Sequence, residues 1–109
     1  MSEQSLLKEE NLLIIKEIES KPAVTQRDLS SKLGISLGKI NYLLKELIKK
    51  GFIEVENFSG NPDKLKKIRY FLTKEGLEHK LELMQHFLKI KEAEYNLMKQ
   101  DLEQLINKA

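Results

Sequence analysis

Residues 36–49 hold the side chains best suited to chemistry with a polyanion. Read as a helix at about 100° per residue, Gly38, Tyr42, Lys45 and Lys49 fall on one face, flanked by Lys39, Asn41 and Glu46, with Ser36 at the start. Ammonium groups neutralise phosphates, and a carboxamide offers the paired donor and acceptor that match an adenine edge. Ser36 and Gly38 are small enough to permit close approach, and Tyr42 adds a hydroxyl and a ring. A second basic run, Lys64, Lys66, Lys67 and Arg69, follows the turn formers Ser59 to Asp63 and supplies candidate phosphate contacts, which position a protein without specifying sequence. Taken singly, Lys45 or Lys49 reads equally as solvated helix surface, and Tyr42 as packing at a domain edge.

The charge distribution joins these residues. The formal net charge is only +2. Residues 1–35 carry five Lys/Arg and six Asp/Glu, residues 36–74 carry nine and four, and residues 75–109 carry five and seven. The excess is thus −1, +5 and −2, and the basic block coincides with the two segments singled out above.

Other chemistries fail on spacing. Gly34-Ile35-Ser36-Leu37-Gly38-Lys39-Ile40 has three residues between its glycines where a phosphate loop needs four, and Ile40 stands where a magnesium-binding hydroxyl is required. His79 and His86, with Glu82 nearby, share a helix face but lack a third and fourth ligand, and are read as a solvated pair rather than a metal site. There is no Cys, hence no thiolate site or disulfide, in keeping with a reducing cytoplasm. No nucleophile has an evident base partner, so neither catalytic residues nor a cofactor are expected.

The elements that must position the basic face are legible. Leu7, Ile14, Ile15 and Ile18, broadened by Leu6, Leu12 and Leu13, predict a helix over 6–19 that Pro22 forbids from continuing. Thr25 and Asp28 form a capping box for a short second helix, with Val24 stapled onto Leu29, and Gly34 suits the left-handed residue after Leu33. Ser36 then caps the third helix, Leu37 to Lys50, and Ile35 staples onto Ile40. This helix buries Ile40, Leu43, Leu44, Leu47 and Ile48 and closes at Gly51. So tight a connection makes the second and third helices cross steeply, a helix-turn-helix. Ile53/Val55 and Ile68/Tyr70/Leu72 alternate with period two and predict a β-hairpin whose long tip is 59–63.

Thr73 caps a last helix running from about Lys74 to Ile106. Along it Leu77, Leu81, Met84, Leu88, Lys91, Tyr95, Met98, Leu102 and Leu105 repeat at spacings of four and three, a heptad seam interrupted by Lys91. At 1.5 Å per residue the helix is roughly 50 Å long and outruns a body of some seventy residues. It therefore cannot bury the seam on its own domain, and the chain is expected to be a homo-oligomer, most simply a two-fold dimer. A charge at Lys91 costs stability but can select register or oligomer state.

With 109 residues there is room for one small core and an appendage: a domain over 1–73 and an oligomerisation helix over 74–109. Met1 to Glu10 lacks the pattern of a secretion signal, and no run of 18 apolar residues occurs, so neither export nor a membrane partner is expected.

Helix, helix-turn-helix and hairpin in this order make a winged helix, mainly α with a small β-hairpin. Its third helix is expected to enter the DNA major groove and its hairpin to reach the backbone. Residues 25–76, and more loosely 6–105, resemble MarR-type winged helix-turn-helix transcriptional regulators through TQRDLSSKLGIS, LGKINYLLKELIKKGFI and YFLTKEG. The phrases GISLGKINYLLKELIKKGFIEVENF and FLKIKEAEY resemble the subgroup associated with exopolysaccharide gene clusters. The resemblance implies sequence-specific binding of double-stranded DNA as a dimer and regulation of transcription, in the subgroup of polysaccharide synthesis genes. Members of the broader family have further helices on both sides of the winged domain that shape a pocket for small aromatic ligands. This chain offers one long C-terminal helix, so no effector site is carried over. The alternative from another class is a protein-interaction module whose long helix binds a different protein. RNA recognition lacks the aromatic platform that stacks unpaired bases.

Overall fold

The computed structural model describes residues 8–58 and 67–108. Its elements are α1 (Glu9–Ser20), α2 (Gln26–Leu33), α3 (Leu37–Lys49), β1 (Ile53–Phe58), β2 (Lys67–Leu72) and α4 (Lys74–Lys108). Leu6, Leu7 and the 59–63 tip lie outside the described residues.

Local chemistry sets the boundaries. The Thr25 hydroxyl accepts from the Asp28 backbone N–H at 3.0 Å, and the Asp28 carboxylate accepts from the Thr25 N–H at 3.3 Å, completing the capping box of α2. The hydrogen bonds from Thr25, side chain first and backbone second, hold the Asp28 carboxyl below its ordinary range, with Lys21 adding a smaller pull. Gly34 ends α2 at φ 68°, where an L side chain is disfavoured. Ser36 caps α3 by accepting from the Lys39 N–H at 3.2 Å, and the Ser30 hydroxyl donates to the Ile35 carbonyl at 2.5 Å, clamping the connection.

The core joins every helix and the base of the hairpin. Ile14, Ile15 and Ile18 of α1 meet Leu29 of α2, Ile40, Leu43, Leu44 and Leu47 of α3, Ile53 and Tyr70 of the hairpin, and Leu83 of α4. At roughly 1.5–3 kcal/mol for each fully buried aliphatic side chain, this cluster dominates the favourable side of folding. Strands β1 and β2 pair antiparallel with Ile53 opposite Leu72, Val55 opposite Tyr70 and Asn57 opposite Ile68, so the expected apolar positions do share a face. Burial fades along it: Ile53 is 1% exposed, Val55 40% and Ile68 45%, because only Ile53 and Tyr70 of the hairpin enter the core. Its edge is fastened by a hydrogen bond from the Tyr70 N–H to the Pro22 carbonyl, 3.0 Å.

The hairpin base also sets the start of α4. Thr73 Oγ1 donates to the Gly51 carbonyl at 2.5 Å and accepts from the Gly76 N–H at 3.0 Å, while the Thr73 N–H donates to the Phe52 carbonyl. A Cβ on Gly76 would sit 2.0 Å from the Phe52 carbonyl oxygen, so the absence of a side chain there lets the helix cross the hairpin base.

One reading is corrected. His79 and His86 are not a solvated pair: His79 is 5% exposed and stacked on Phe52, ring centroids 4.3 Å apart, and His86 is half-buried against Phe87. The face opposite the seam is the one that α4 lays on the body, through Gly76, His79, Leu83 and Phe87. The seam itself is left open, and its eight apolar side chains are between 48% and 73% exposed. The helix runs far past the body, in a molecule measuring 70 × 27 × 22 Å.

Candidate nucleic-acid interface

Helix α3 is held by its apolar side and offers the other to solvent. Ile40, Leu43, Leu44 and Leu47 are at most 2% exposed, which leaves the helix little freedom to rotate. Ser36, Gly38, Tyr42, Lys45 and Lys49 are all exposed on the far side, Tyr42 at 52%. Among the described residues, Lys45 and Lys49 make no ion pair.

Two of the expected contact residues are engaged within the chain. Lys39 Nζ lies 2.9 Å from a Glu10 carboxylate oxygen of α1, and Asn41 Nδ2 donates to Gln26 Oε1 of α2 at 3.2 Å. Their backbone positions flank the outward face as expected, but their polar ends are turned toward the neighbouring helices. Lys39 remains half exposed, so a phosphate can compete with Glu10 for it in a high-dielectric setting where such pairs are worth at most about 1 kcal/mol. Asn41 keeps its carboxamide oxygen clear of the Gln26 bond. On the α1 flank Glu46 is half-buried, and its Oε2 has no hydrogen-bond partner among the described residues.

The pairing of Lys39 belongs to a pattern that spacing alone did not reveal. Four glutamates of α1 each meet a lysine from another helix: Glu9 with Lys91 of α4 at 2.9 Å, Glu10 with Lys39 of α3, Glu17 with Lys32 of α2 at 2.8 Å, and Glu19 with Lys80 of α4. Four glutamates of the acidic N-terminal third are thus engaged by lysines of the other helices, while Lys45 and Lys49 on the outward face of α3 have no such pair among the described residues. Lys91, hydrogen-bonded and electrostatically coupled to Glu9, is held charged above its ordinary range, with Glu94 contributing less.

In the hairpin, Arg69 is exposed on β2, opposite Glu56 of β1. Lys64, Lys66 and the side chain of Lys67 lie outside the described residues. Among the described residues no group of acidic or histidine side chains could hold a metal ion, and no helix is long and apolar enough to cross a membrane. Sequence reasoning missed Gln26, which orients Asn41, and Glu10, which restrains Lys39; both act from more than a dozen residues away.

Residues 11–54 match the family described as winged helix-turn-helix DNA-binding. No curated protein matches the sequence. Among solved structures, a Thermoplasma acidophilum protein assigned as a transcriptional regulator, TA0346, superposes with a TM-score of 0.68 at 22% identity, over 89% of this chain and 97% of that one. The S. aureus MepR–DNA complex gives a TM-score of 0.55 at 21% identity, over 92% and 76%. Staphylococcus aureus MarR, solved with salicylate and kanamycin, gives 0.55 at 24% identity, over 91% and 73%. The chain carries a winged helix-turn-helix with a long C-terminal helix, the fold of MarR-family transcriptional regulators.

Proposed function

We propose that the protein is a cytoplasmic, homodimeric transcriptional regulator that binds double-stranded DNA sequence-specifically. In this reading α3 lies in the major groove, with Ser36 and Gly38 closest to the duplex, Asn41 and Tyr42 at base edges, and Lys39, Lys45 and Lys49 at bases or phosphates. The wing, with Lys64, Lys66, Lys67 and Arg69, reaches the backbone. The functional division falls at Thr73: residues 1–73 read DNA, and 74–109 pair the copies through Leu77, Leu81, Met84, Leu88, Lys91, Tyr95, Met98, Leu102 and Leu105. No enzymatic activity, metal, cofactor or small-molecule effector is part of the reading.

The observation that carries it is the face of Tyr42, Lys45 and Lys49, exposed and free of ion pairs among the described residues, on a helix whose other side is locked in the core. The resemblance to the exopolysaccharide-associated subgroup makes promoters of polysaccharide synthesis genes the first fragments to try. Fluorescence anisotropy of a labelled duplex titrated with protein should give an affinity that falls steeply with salt, and Lys45→Ala should weaken binding and lower the salt slope by about 1 per copy, about 2 for the dimer. Absence of duplex binding at low salt by a protein of native helicity sinks this reading. Recovery of the chain as a monomer bound to a heterologous helical protein would replace it with an interaction module.

A further inference from the structure

The open seam of α4 runs through nine positions, eight apolar and one, Lys91, charged. We propose that two copies pair through antiparallel α4 helices about a two-fold axis level with Ala93, so that Lys91 of each copy lies against the partner's Tyr95. This rests on the homodimer reading above and adds orientation and register to it.

Lys91 decides the orientation. A parallel, in-register pair stacks each seam position on its own copy, which sets two Lys91 side chains, each paired with Glu9 of its own chain, in one layer. An antiparallel pair centred at Ala93 instead matches Leu81 with the partner's Leu105, Met84 with the partner's Leu102, Leu88 with the partner's Met98, and Lys91 with the partner's Tyr95. Eight of the nine seam positions then meet another seam residue, Leu77 alone falling opposite position 109, and the one cation meets the one aromatic ring of the seam, an attractive cation–π arrangement. Sliding the helices by a heptad in either direction puts Lys91 against Leu88 or Leu102, an aliphatic side chain in place of the ring.

The surfaces fit the same solution. Near its start α4 forms a groove with α1 whose apolar lining is Leu12, Leu81, Met84, Phe87 and Leu88, joined by Lys16, Gln85 and Lys91. The far half of α4 is apolar beyond the seam, with Leu97 61% and Ile106 63% exposed. A wider stripe is what a helix needs to seat between two others, and only the antiparallel pair lays the far half along the groove of the other copy. At roughly 100 Å² of exposed surface for each seam residue, two copies bury on the order of 1,600 Å², the size of a standard stable interface.

Spacing supplies a further agreement. The body rests on α4 through Gly76, His79, Leu83 and Phe87, centred about 12 residues from Ala93. Antiparallel pairing therefore sets the two bodies about 35 Å apart along the helix, close to one turn of DNA.

The chain has no Cys, so single cysteine variants report cleanly. Asn107 is exposed and lies on the side of α4 away from the seam. With a nitroxide at Asn107→Cys, pulsed dipolar spectroscopy should give a distance of about 40–50 Å, from 14 residues of rise on each side of the axis plus the helix width. A distance of about 30 Å or less, the span across a side-by-side pair, overturns the antiparallel arrangement while leaving the dimer in place. A monomer without dipolar signal overturns the homodimer reading itself. For the register, Met84→Cys mixed with Leu102→Cys should form an interchain disulfide that neither variant forms alone. Cross-linking of either variant with itself contradicts the Ala93 register.

Discussion

The two halves of α4 are one unbroken helix with opposite surroundings. In the first half Gly76, His79 and Leu83 are buried, and the Cβ-free surface of Gly76 is pressed against the Phe52 carbonyl. From Tyr95 to Ile106 the apolar side chains stand in solvent, Met98 at 73% exposure. The composition of the two halves is similar, so hydrophobic content does not distinguish them. Length does: the body ends and the helix continues. Burial in the first half is set within the chain, and burial in the second calls for another molecule.

That contrast breaks most sharply on substitution. Leu83→Ala should cost about 2–5 kcal/mol through cavity formation, at any protein concentration. Leu102→Ala should leave a dilute sample unchanged and lower the melting temperature only at concentrations where the dimer forms. Denaturation curves at two concentrations separate the cases, and a loss for Leu102→Ala that is independent of concentration means the second half is stabilised within the chain. Gly76→Ala should come next, at about 1–3 kcal/mol, because the added methyl forces α4 off the hairpin base. A neutral result in the same assay would show that the crossing relaxes freely.

The smallest effects are expected at Lys91, where the halves meet. Lys91→Leu should raise the melting temperature by filling the seam, and an unchanged melt would place position 91 outside a buried seam. Because the pair with Glu9 holds Lys91 protonated above its ordinary range, its contribution is complete below the unfolded pKa, about 10.5, and is lost as pH rises through the folded value. An alkaline melt of wild type should therefore lose a small increment that Glu9→Gln lacks.

Much of the fold was legible because its signals are local. The Thr25/Asp28 capping box, Gly34, the Ser36 cap and the apolar face of α3 each depend on residues within a turn or two, and each is present. The site was legible in position but less so in detail. Lys39 and Asn41 flank the outward face, yet Glu10 and Gln26 set where their polar ends point, and those partners are adjacent only after the helices pack. His79 failed for the same reason: heptad arithmetic identified the face opposite the seam, but whether that face meets solvent or Phe52 depends on how α4 crosses the hairpin.

Two recognition helices locked by their cores and spaced by an α4 dimer are proposed to read duplex DNA. Selection of bound sequences from a random duplex library tests it most directly. Enrichment of a two-fold symmetric site with half-sites about 10 base pairs apart is expected, with loss of that enrichment for Lys45→Ala. A library that emerges unenriched, or a single asymmetric site bound by a monomer, contradicts it.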